Sequence, residues 1–310
     1  MRSGPTQNPY SVTNMATAWA NVRLKLSNNS LPLNTVNIRE THTYIRFKPT
    51  TQGQLDTLEG NTDLDLYPYP LDTELTDEQM ESYKNAVISS GQPIYRYCSV
   101  PIGTNLPTIP YDILSPLYIP EMDEDLINTL SNSSNIYGHY KKSDIAEMIE
   151  DEALWISGNL ETEPTLETRA SKRRPAGRIR LWDDSSHGGF FIGAEGAKIK
   201  CRRFVVTHTG IADINGNFSC DGQFRHKAHY RVEWNRDDFS IMEGWLNNAE
   251  DYGPFQKGNW NRDYAADEGR QLFFARVFKA AHQYYYKDIQ DLRRPPQNTW
   301  WKKKNENQGA

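Results

Sequence analysis

Four short constellations in this chain hold residue types able to do acid–base, nucleophilic or metal chemistry, and each falls short of what the chemistry needs. His226-Lys227-Ala228-His229 comes nearest to a metal pair among the seven histidines, at 42, 139, 187, 208, 226, 229 and 282. It lacks the Glu that a His-Glu-x-x-His helix uses as general base. Its surroundings predict a strand or turn, where side chains three apart point to opposite faces, so the pair reads as surface polar residues. Asp213-Ile214-Asn215-Gly216-Asn217 opens like a calcium loop, but the closing position, which needs a bidentate acid, is Phe224. Asp183, Asp184, Ser185, Ser186 and His187 contain the residue types of a hydrolase triad. Sequence neighbours seldom converge as nucleophile, base and orienter, and no Gly-x-Ser-x-Gly elbow accompanies them, so a loop between strands is expected. Glu150-Asp151-Glu152 lies in a predicted helix, where adjacent positions diverge, and reads as a solvated face rather than a glycosidase pair. No catalytic residue, metal ligand or cofactor is therefore assigned.

Aromatic residues offer the remaining candidate. Tyr284-Tyr285-Tyr286 cannot all face one core on a helix, because successive residues turn by about 100°. At least one ring must reach solvent or a partner, and Trp300-Trp301 near the terminus pose the same problem. These five residues form a candidate partner surface, since exposed aromatic clusters mark interfaces; the alternative is that the rings pack back on the chain's own sandwich. Trp245 and Trp260 are the residues expected to contact a glycan if the chain binds carbohydrate.

The elements that would carry these groups can be read from periodicity. Asn8 caps a helix with Pro9 in its first turn, and Val12, Met15, Trp19, Val22 and Leu26 form its apolar stripe. Residues 41–48 alternate as a strand, and Thr51 with Gln54 forms a capping box for a helix through Leu58. A strand at Leu64–Tyr67 is expected to follow, then a rigid connection around Pro68 and Pro70. Thr76 with Gln79 makes a second box, 94–100 reads as a strand, Glu121 opens an acidic helix start, and Ser143 opens a helix with Ile145, Met148, Ile149 and Trp155 apolar. Together these predict an α+β domain over 8–157. Residues 158–176 are polar, charged and punctuated by proline, the composition of a linker.

From Gly177 the pattern changes to short period-two strands separated by Gly, Asp and Asn, with Asn215-Gly216 as a strong turn signal. This predicts an antiparallel sandwich over 177–262, with a loop from Gly253 to Arg262. A C-terminal helix within 263–296 is expected, capped by Asp267 and running to about Asp291. Its apolar face would be Phe274, Val277, Phe278, Ala281, Tyr285 and Leu292, a face that needs a partner. Residues 297–310 read as a tail.

The order G-R-I-R-L-W-D (177–183), G-A-K-I-K-C (196–201) and G-I-A-D-I-N-G-N-F (210–218) resembles the carboxypeptidase regulatory-like domain, a transthyretin-type β-sandwich. The resemblance implies a module without catalytic residues of its own. N-P-Y-S-V-T-N-M (8–15), T-H-T-Y-I-R-F-K-P (41–49), Y-P-Y-P-L-D (67–72) and Y-Y-Y-K-D-I-Q-D-L-R-R-P-P (284–296) extend it to secreted or lipid-anchored cell-surface proteins of Bacteroidetes-type bacteria. Some longer relatives look zinc-peptidase-like beyond the Arg-Arg-Pro-Pro segment. The resemblance implies an extracellular or cell-envelope location, although Met1-Arg2-Ser3-Gly4-Pro5 opens no secretory segment.

At 310 residues the chain has room for about two domains. A net charge of −5 supplies no global field for nucleic acid or anionic lipid, and the short basic runs at Lys172–Arg174, Arg293-Arg294 and Lys302–Lys304 read as solvated linker charge. No window approaches a membrane span. Cys98, Cys201 and Cys220 lack metal spacing; buried free thiols are expected, with a Cys201–Cys220 bridge as the alternative that sequence leaves open. The expectation is a non-catalytic structural or binding protein that meets another protein or a further C-terminal segment of its own, with glycans as a second ligand class. The competing expectation is the scaffold portion of a secreted zinc peptidase.

Overall fold

The computed structural model describes residues 8–27, 37–61, 63–90, 95–123, 126, 142–165, 171–185, 188–243, 247–294 and 305–309. In chain order the elements begin with α1 (Val12–Ser27), β1 (His42–Phe47), α2 (Gln52–Glu59), α3 (Asp77–Ser90), β2 (Arg96–Pro101), β3 (Tyr111–Leu117) and α4 (Lys142–Ile156). They continue with β4 (Ala176–Asp183), β5 (Phe190–Gly193), β6 (Lys198–Arg203), β7 (Val206–Ile211), β8 (Asn217–Ser219) and β9 (Ala228–Glu233). The last are β10 (Phe239–Glu243), β11 (Asn247–Asn248), β12 (Glu250–Gln256), β13 (Trp260–Tyr264), α5 (Gly269–Tyr286) and β14 (Asn305–Gly309). The fold is α+β, with a helix at the N-terminal side of the chain and another towards its C-terminus. Two compact units share the chain: Met1–Thr50, Leu64–Arg169 and Phe204–Val206 form one, and Thr51–Asp63, Ala170–Arg203 and Thr207–Ala310 the other. The span 8–157 is thus interrupted, because α2 belongs to the second unit.

In the first unit the helix begins later than Asn8. The Asn8 carboxamide oxygen accepts from Tyr10 N at 3.0 Å, while Ser11 Oγ accepts from Asn14 N at 3.2 Å and caps α1. Met15, Ala18, Trp19, Val22 and Leu26 are buried along one stripe of α1. That helix packs on α4, and the acidic run of α4 is no solvated face. Glu152 accepts from Asn21 Nδ2 and Lys25 Nζ, both at 2.8 Å, and the Tyr10 hydroxyl donates to Glu150. The carboxylates, reached by Asn21 and Lys25 of α1 and by Tyr10 just before it, tie the two helices together.

The sheet of this unit has the order β2-β1-β3, all antiparallel, with Ile45 opposite both Cys98 and Ile113. The strand expected at Leu64–Tyr67 shrinks to one bridge, Tyr67 with Tyr97, because Pro68 and Pro70 have no N–H to donate. Leu71 N instead donates to the Tyr44 hydroxyl at 2.8 Å. β3 was not foreseen, since Pro110 and Pro116 flank its centre; it is an edge strand with a register shift against Tyr44/Ile45, where prolines are tolerated. The capping box at α3 closes in both directions, with Thr76 N donating to Gln79 Oε1 at 2.9 Å and Gln79 N to Thr76 Oγ1 at 3.3 Å. The acidic helix start at Glu121 is a short 3₁₀ turn, Pro120–Met122. Phe204, the first residue of the 204–206 segment, is buried at a φ of +48°. Its N–H donates to Glu74 Oε1 at 2.7 Å, and its ring lies 6.3 Å from that of Tyr10.

The second unit holds a sheet of order β12-β9-β6-β7 and another of order β13-β4-β5, with β8 also paired to β4. Pairing is antiparallel except for β4 with β13, and for β10 with β14 in a small further sheet. Residues 253–262 are therefore largely strand, not loop. Alternation puts Ile179, Leu181, Ile199, Cys201, Phe218, Tyr230 and Val232 in the core. Aromatic rings join the sheets, Phe218 to Tyr230 at 6.3 Å and Tyr230 to Trp260 at 5.5 Å.

The Asn215-Gly216 signal is a turn held by Asp213. Its Oδ1 accepts from Asn215 N and Asn217 N, both at 2.8 Å, and Gly216 takes a φ of +82°. A Cβ at Gly216 would lie 2.0 Å from Ile179 O, so the turn also needs glycine for close approach to β4.

Candidate interaction surface on the C-terminal helix

α5 is positioned by its own ends. Glu268, not Asp267, precedes its first residue, and the Arg262 guanidinium joins Glu268 Oε1 at 3.1 Å to Asp251 Oδ2 at 3.0 Å. Asp251 also accepts from the buried Tyr264 hydroxyl at 2.9 Å. At the other end Arg294 donates to the Tyr285 and Lys287 carbonyls at 3.0 and 2.7 Å, closing carbonyls that a helix terminus leaves open. Between these anchors Leu272, Phe274, Ala275, Phe278, His282 and Tyr285 are buried. Phe278 lies 5.4 Å from both Trp234 and Phe239, and Tyr285 stacks on Phe239 at 5.2 Å. The expected inner face is thus covered by the unit's own strands and does not wait for a partner. Val277 and Ala281 lie at its margin, and Leu292 is exposed beyond the helix end.

A second apolar ladder runs along the opposite side. Phe273 and Tyr284 are 45% and 41% exposed, Ala280 is exposed, and Val277 is half-buried. Their steps of four, three and four residues place them in one line. Leu292 continues the apolar surface where the Tyr284 hydroxyl donates to Arg293 O at 2.8 Å. Of the tyrosine triplet, Tyr284 reaches solvent, Tyr285 is core, and Tyr286 is half-buried with its hydroxyl 3.3 Å from Asp238 N. Phe273, Val277 and Ala280 were missed as a surface because one helix carries two apolar ladders, and periodicity alone does not say which is covered.

Trp300 and Trp301 lie outside the described residues, as does Trp245. Trp260 is buried among Tyr230 and Gly253, where a Cβ on the glycine would stand 2.7 Å from the indole. It offers no open ring face to a glycan, which corrects its assignment as a sugar contact.

The densest ionisable cluster of the second unit was not anticipated. Lys198, Lys200 and Arg202 of β6 alternate with core residues, and His229, Arg231 and Glu233 of β9 stand opposite them in register. Glu233 lies 3.0 Å from Lys200 Nζ and 3.6 Å from Lys198 Nζ, and is also bound by Arg231, which reaches Glu250 at 3.2 Å. Burial pushes the Glu233 carboxyl up, but the Lys200, Arg231 and Lys198 charges outweigh it and hold the group well below the usual carboxylate range. Together the side chains form a buried ion-pair ladder across β6 and β9. Alternation signals it in the sequence, yet charges at period two read as a solvent face, whereas here both faces of β9 are buried.

The other chemical candidates are dispersed. His229 stacks on Phe255 at 4.3 Å, and among the described residues no group of three His, Cys, Asp or Glu could hold a metal ion. Asp183 accepts from Ser185 N at 2.9 Å, and Ser186 and His187 lie outside the described residues. Cys98, Cys201 and Cys220 are buried free thiols; burial, reinforced by the Asp221 charge, pushes Cys220 up to about 12. No helix among the described residues is long and apolar enough to cross a membrane.

No family model matches the chain, and no curated protein matches it. A crystal structure of (S)-allantoin synthase is similar over 81% of this chain and 89% of that one, with 10% sequence identity and a TM-score of 0.19. A likeness at that score carries no argument about fold or activity.

Proposed function

We propose that the chain is a non-catalytic binding protein of a bacterial cell envelope or secreted assembly, acting through protein–protein contacts on the outer face of α5. The observation that carries this reading is the line of Phe273, Val277, Ala280 and Tyr284 on a helix whose opposite face is already packed. Isolated exposed apolar residues are ordinary, but an aligned set with two aromatic rings on a rigid, doubly anchored helix is the composition of an interface centre. The second unit is read as a carboxypeptidase regulatory-like, transthyretin-type sandwich. Support comes from the β4 strand over G-R-I-R-L-W-D and from the Asp213–Asn217 turn between β7 and β8, at the positions that carry the resemblance.

A photo-reactive amino acid placed at Ala280 tests the reading in cells that express the chain. A discrete protein adduct that disappears when Phe273→Ser and Tyr284→Ser are added supports it. The absence of any adduct, or stoichiometric zinc in the purified protein, overturns it.

A further inference from the structure

We propose that the two units donate core segments to each other, so that neither is complete alone and a chain cut between them remains one folded protein. This does not rest on the interaction reading above. Phe204, Val205 and Val206 belong to the first unit, yet Arg203 and Thr207 on either side of them belong to the second. In return the second unit holds Thr51–Asp63, whose chain neighbours Thr50 and Leu64 belong to the first. The chain thus passes from unit to unit five times, after residues 50, 63, 169, 203 and 206, and a cut before Ala170 severs one passage of the five.

The β6–β7 connection has the chemistry of a donated core segment rather than of an ordinary turn. β6 ends at Arg203 and β7 begins at Val206, which leaves Phe204 and Val205 as a two-residue link. Phe204 takes a φ of +48°, a conformation for which such links use glycine or asparagine and which a bulky residue adopts only when its surroundings impose it. Those surroundings lie in the first unit. Phe204 is wholly buried with its ring 6.3 Å from Tyr10, its N–H donates to Glu74 Oε1 at 2.7 Å, and Ser99 Oγ donates to Val205 O at 2.6 Å. Val205 and Val206 are buried as well. An aromatic side chain stands where the hairpin alone favours glycine, because its loss would open a cavity in the core of the first unit.

α2 makes the reverse donation. Leu55 and Leu58 are buried, and Glu59 accepts from Asn248 Nδ2 at 2.5 Å. A helix of eight residues has no stability of its own in water, so α2 forms only in the unit that holds it. Residues 158–176, expected as a linker, are bound towards both ends: Lys25 Nζ lies 3.1 Å from Glu163, and Arg173 exchanges backbone hydrogen bonds of 2.8 and 2.9 Å with Phe224. A ligand that binds either unit therefore stabilises both, since opening one withdraws part of the other's core.

The test uses the full chain with a site-specific protease sequence inserted after the exposed Glu161. After cleavage the two fragments are expected to co-elute in native size-exclusion chromatography and to part only in denaturant; fragments that part in native buffer would overturn the proposal. In the uncut chain, Phe204→Gly relieves the backbone penalty, so it would leave stability unchanged or raise it if residue 204 were only a turn. The expected result is the opposite, with amide exchange at least about tenfold faster in β1 and β2 of the first unit and in β6 and β9 of the second. Phe204→Leu keeps an apolar side chain and is expected to fold and to show a smaller increase in the same strands, while Ile214→Ser in the exposed Asp213–Asn217 turn changes neither unit. Exchange in β1 and β2 untouched by both Phe204 variants would make the link an ordinary turn. Faster exchange confined to the first unit would mean that the units open independently, and it would defeat the proposal equally.

Discussion

The Lys200 ammonium lies 3.0 Å from the Glu233 carboxylate, and both side chains are almost wholly buried. Two further cations, Lys198 and Arg231, share that carboxylate, so removing its charge leaves three cations without their common counter-ion. Deleting one partner of a buried ion pair costs more than the pair contributes, because the desolvated charges that remain have lost a close counter-charge. Glu233→Gln is expected to destabilise the second unit by about 3–5 kcal/mol. Chemical denaturation of the two proteins measures this, and an unchanged midpoint would show that the ladder is dispensable.

Gly196 lies beneath His282 with a φ of +83°, and a Cβ added there would stand 2.2 Å from the imidazole Cδ2. Gly196→Ala meets two obstacles, a left-handed backbone that alanine disfavours and a ring that also packs 6.1 Å from Phe278. A loss of about 1–3 kcal/mol is expected. The same substitution at Gly53, which lies in α2 with open space around it, should be neutral or slightly stabilising. Thermal melts of the two variants separate local strain from a general intolerance of substitution.

Much of the secondary structure was legible because its signals are local. The N-cap at Thr51, the capping box at Thr76 and the Asp213–Asn217 turn depend only on residues within a few positions; Thr51 Oγ1 accepts from Gln54 N, and the Thr76 box closes in both directions. β3 was not legible, since an edge strand may carry Pro116 while a central one may not, and position in the sheet is not local information. Glu152 and Glu233 failed for a related reason. Both look like solvent-facing acids until Lys25 or Lys200, distant in sequence, arrives to pair with them. The interaction stripe was half legible: the tyrosine triplet pointed to α5, but only the packing of Phe278 and Tyr285 shows which side of that helix remains open.

Buried thiols should be inert. Burial pushes Cys201 and Cys220 well above the ordinary thiol value, and a Tyr230 hydroxyl lies close to Cys201. Since the thiolate is the reactive form, neither these residues nor buried Cys98 should take up iodoacetamide at neutral pH in the folded protein. Intact-mass measurement is expected to show no adduct until denaturant is added, and then three. Two adducts missing under non-reducing denaturation would reveal a Cys201–Cys220 bridge instead.

Acid should weaken both units for a reason that can be assigned to single residues. Burial holds His282 below its ordinary value of 6.5, opposed by Glu195 and reinforced by Arg236, Lys287 and Lys279. Burial alone does the same for His42 in the first unit. A histidine depressed in the folded state binds its proton more readily once unfolded. Stability is therefore full above the unfolded value and declines as pH falls through 6.5 towards the folded value. Denaturant midpoints measured from about pH 7.5 down to about 5.5 should fall, and His282→Gln should flatten the part of that slope belonging to the second unit. A midpoint that rises on acidification over this range would mean that folding raises the histidine pKa, and a slope untouched by His282→Gln would mean that folding leaves it unchanged; either result overturns the expectation.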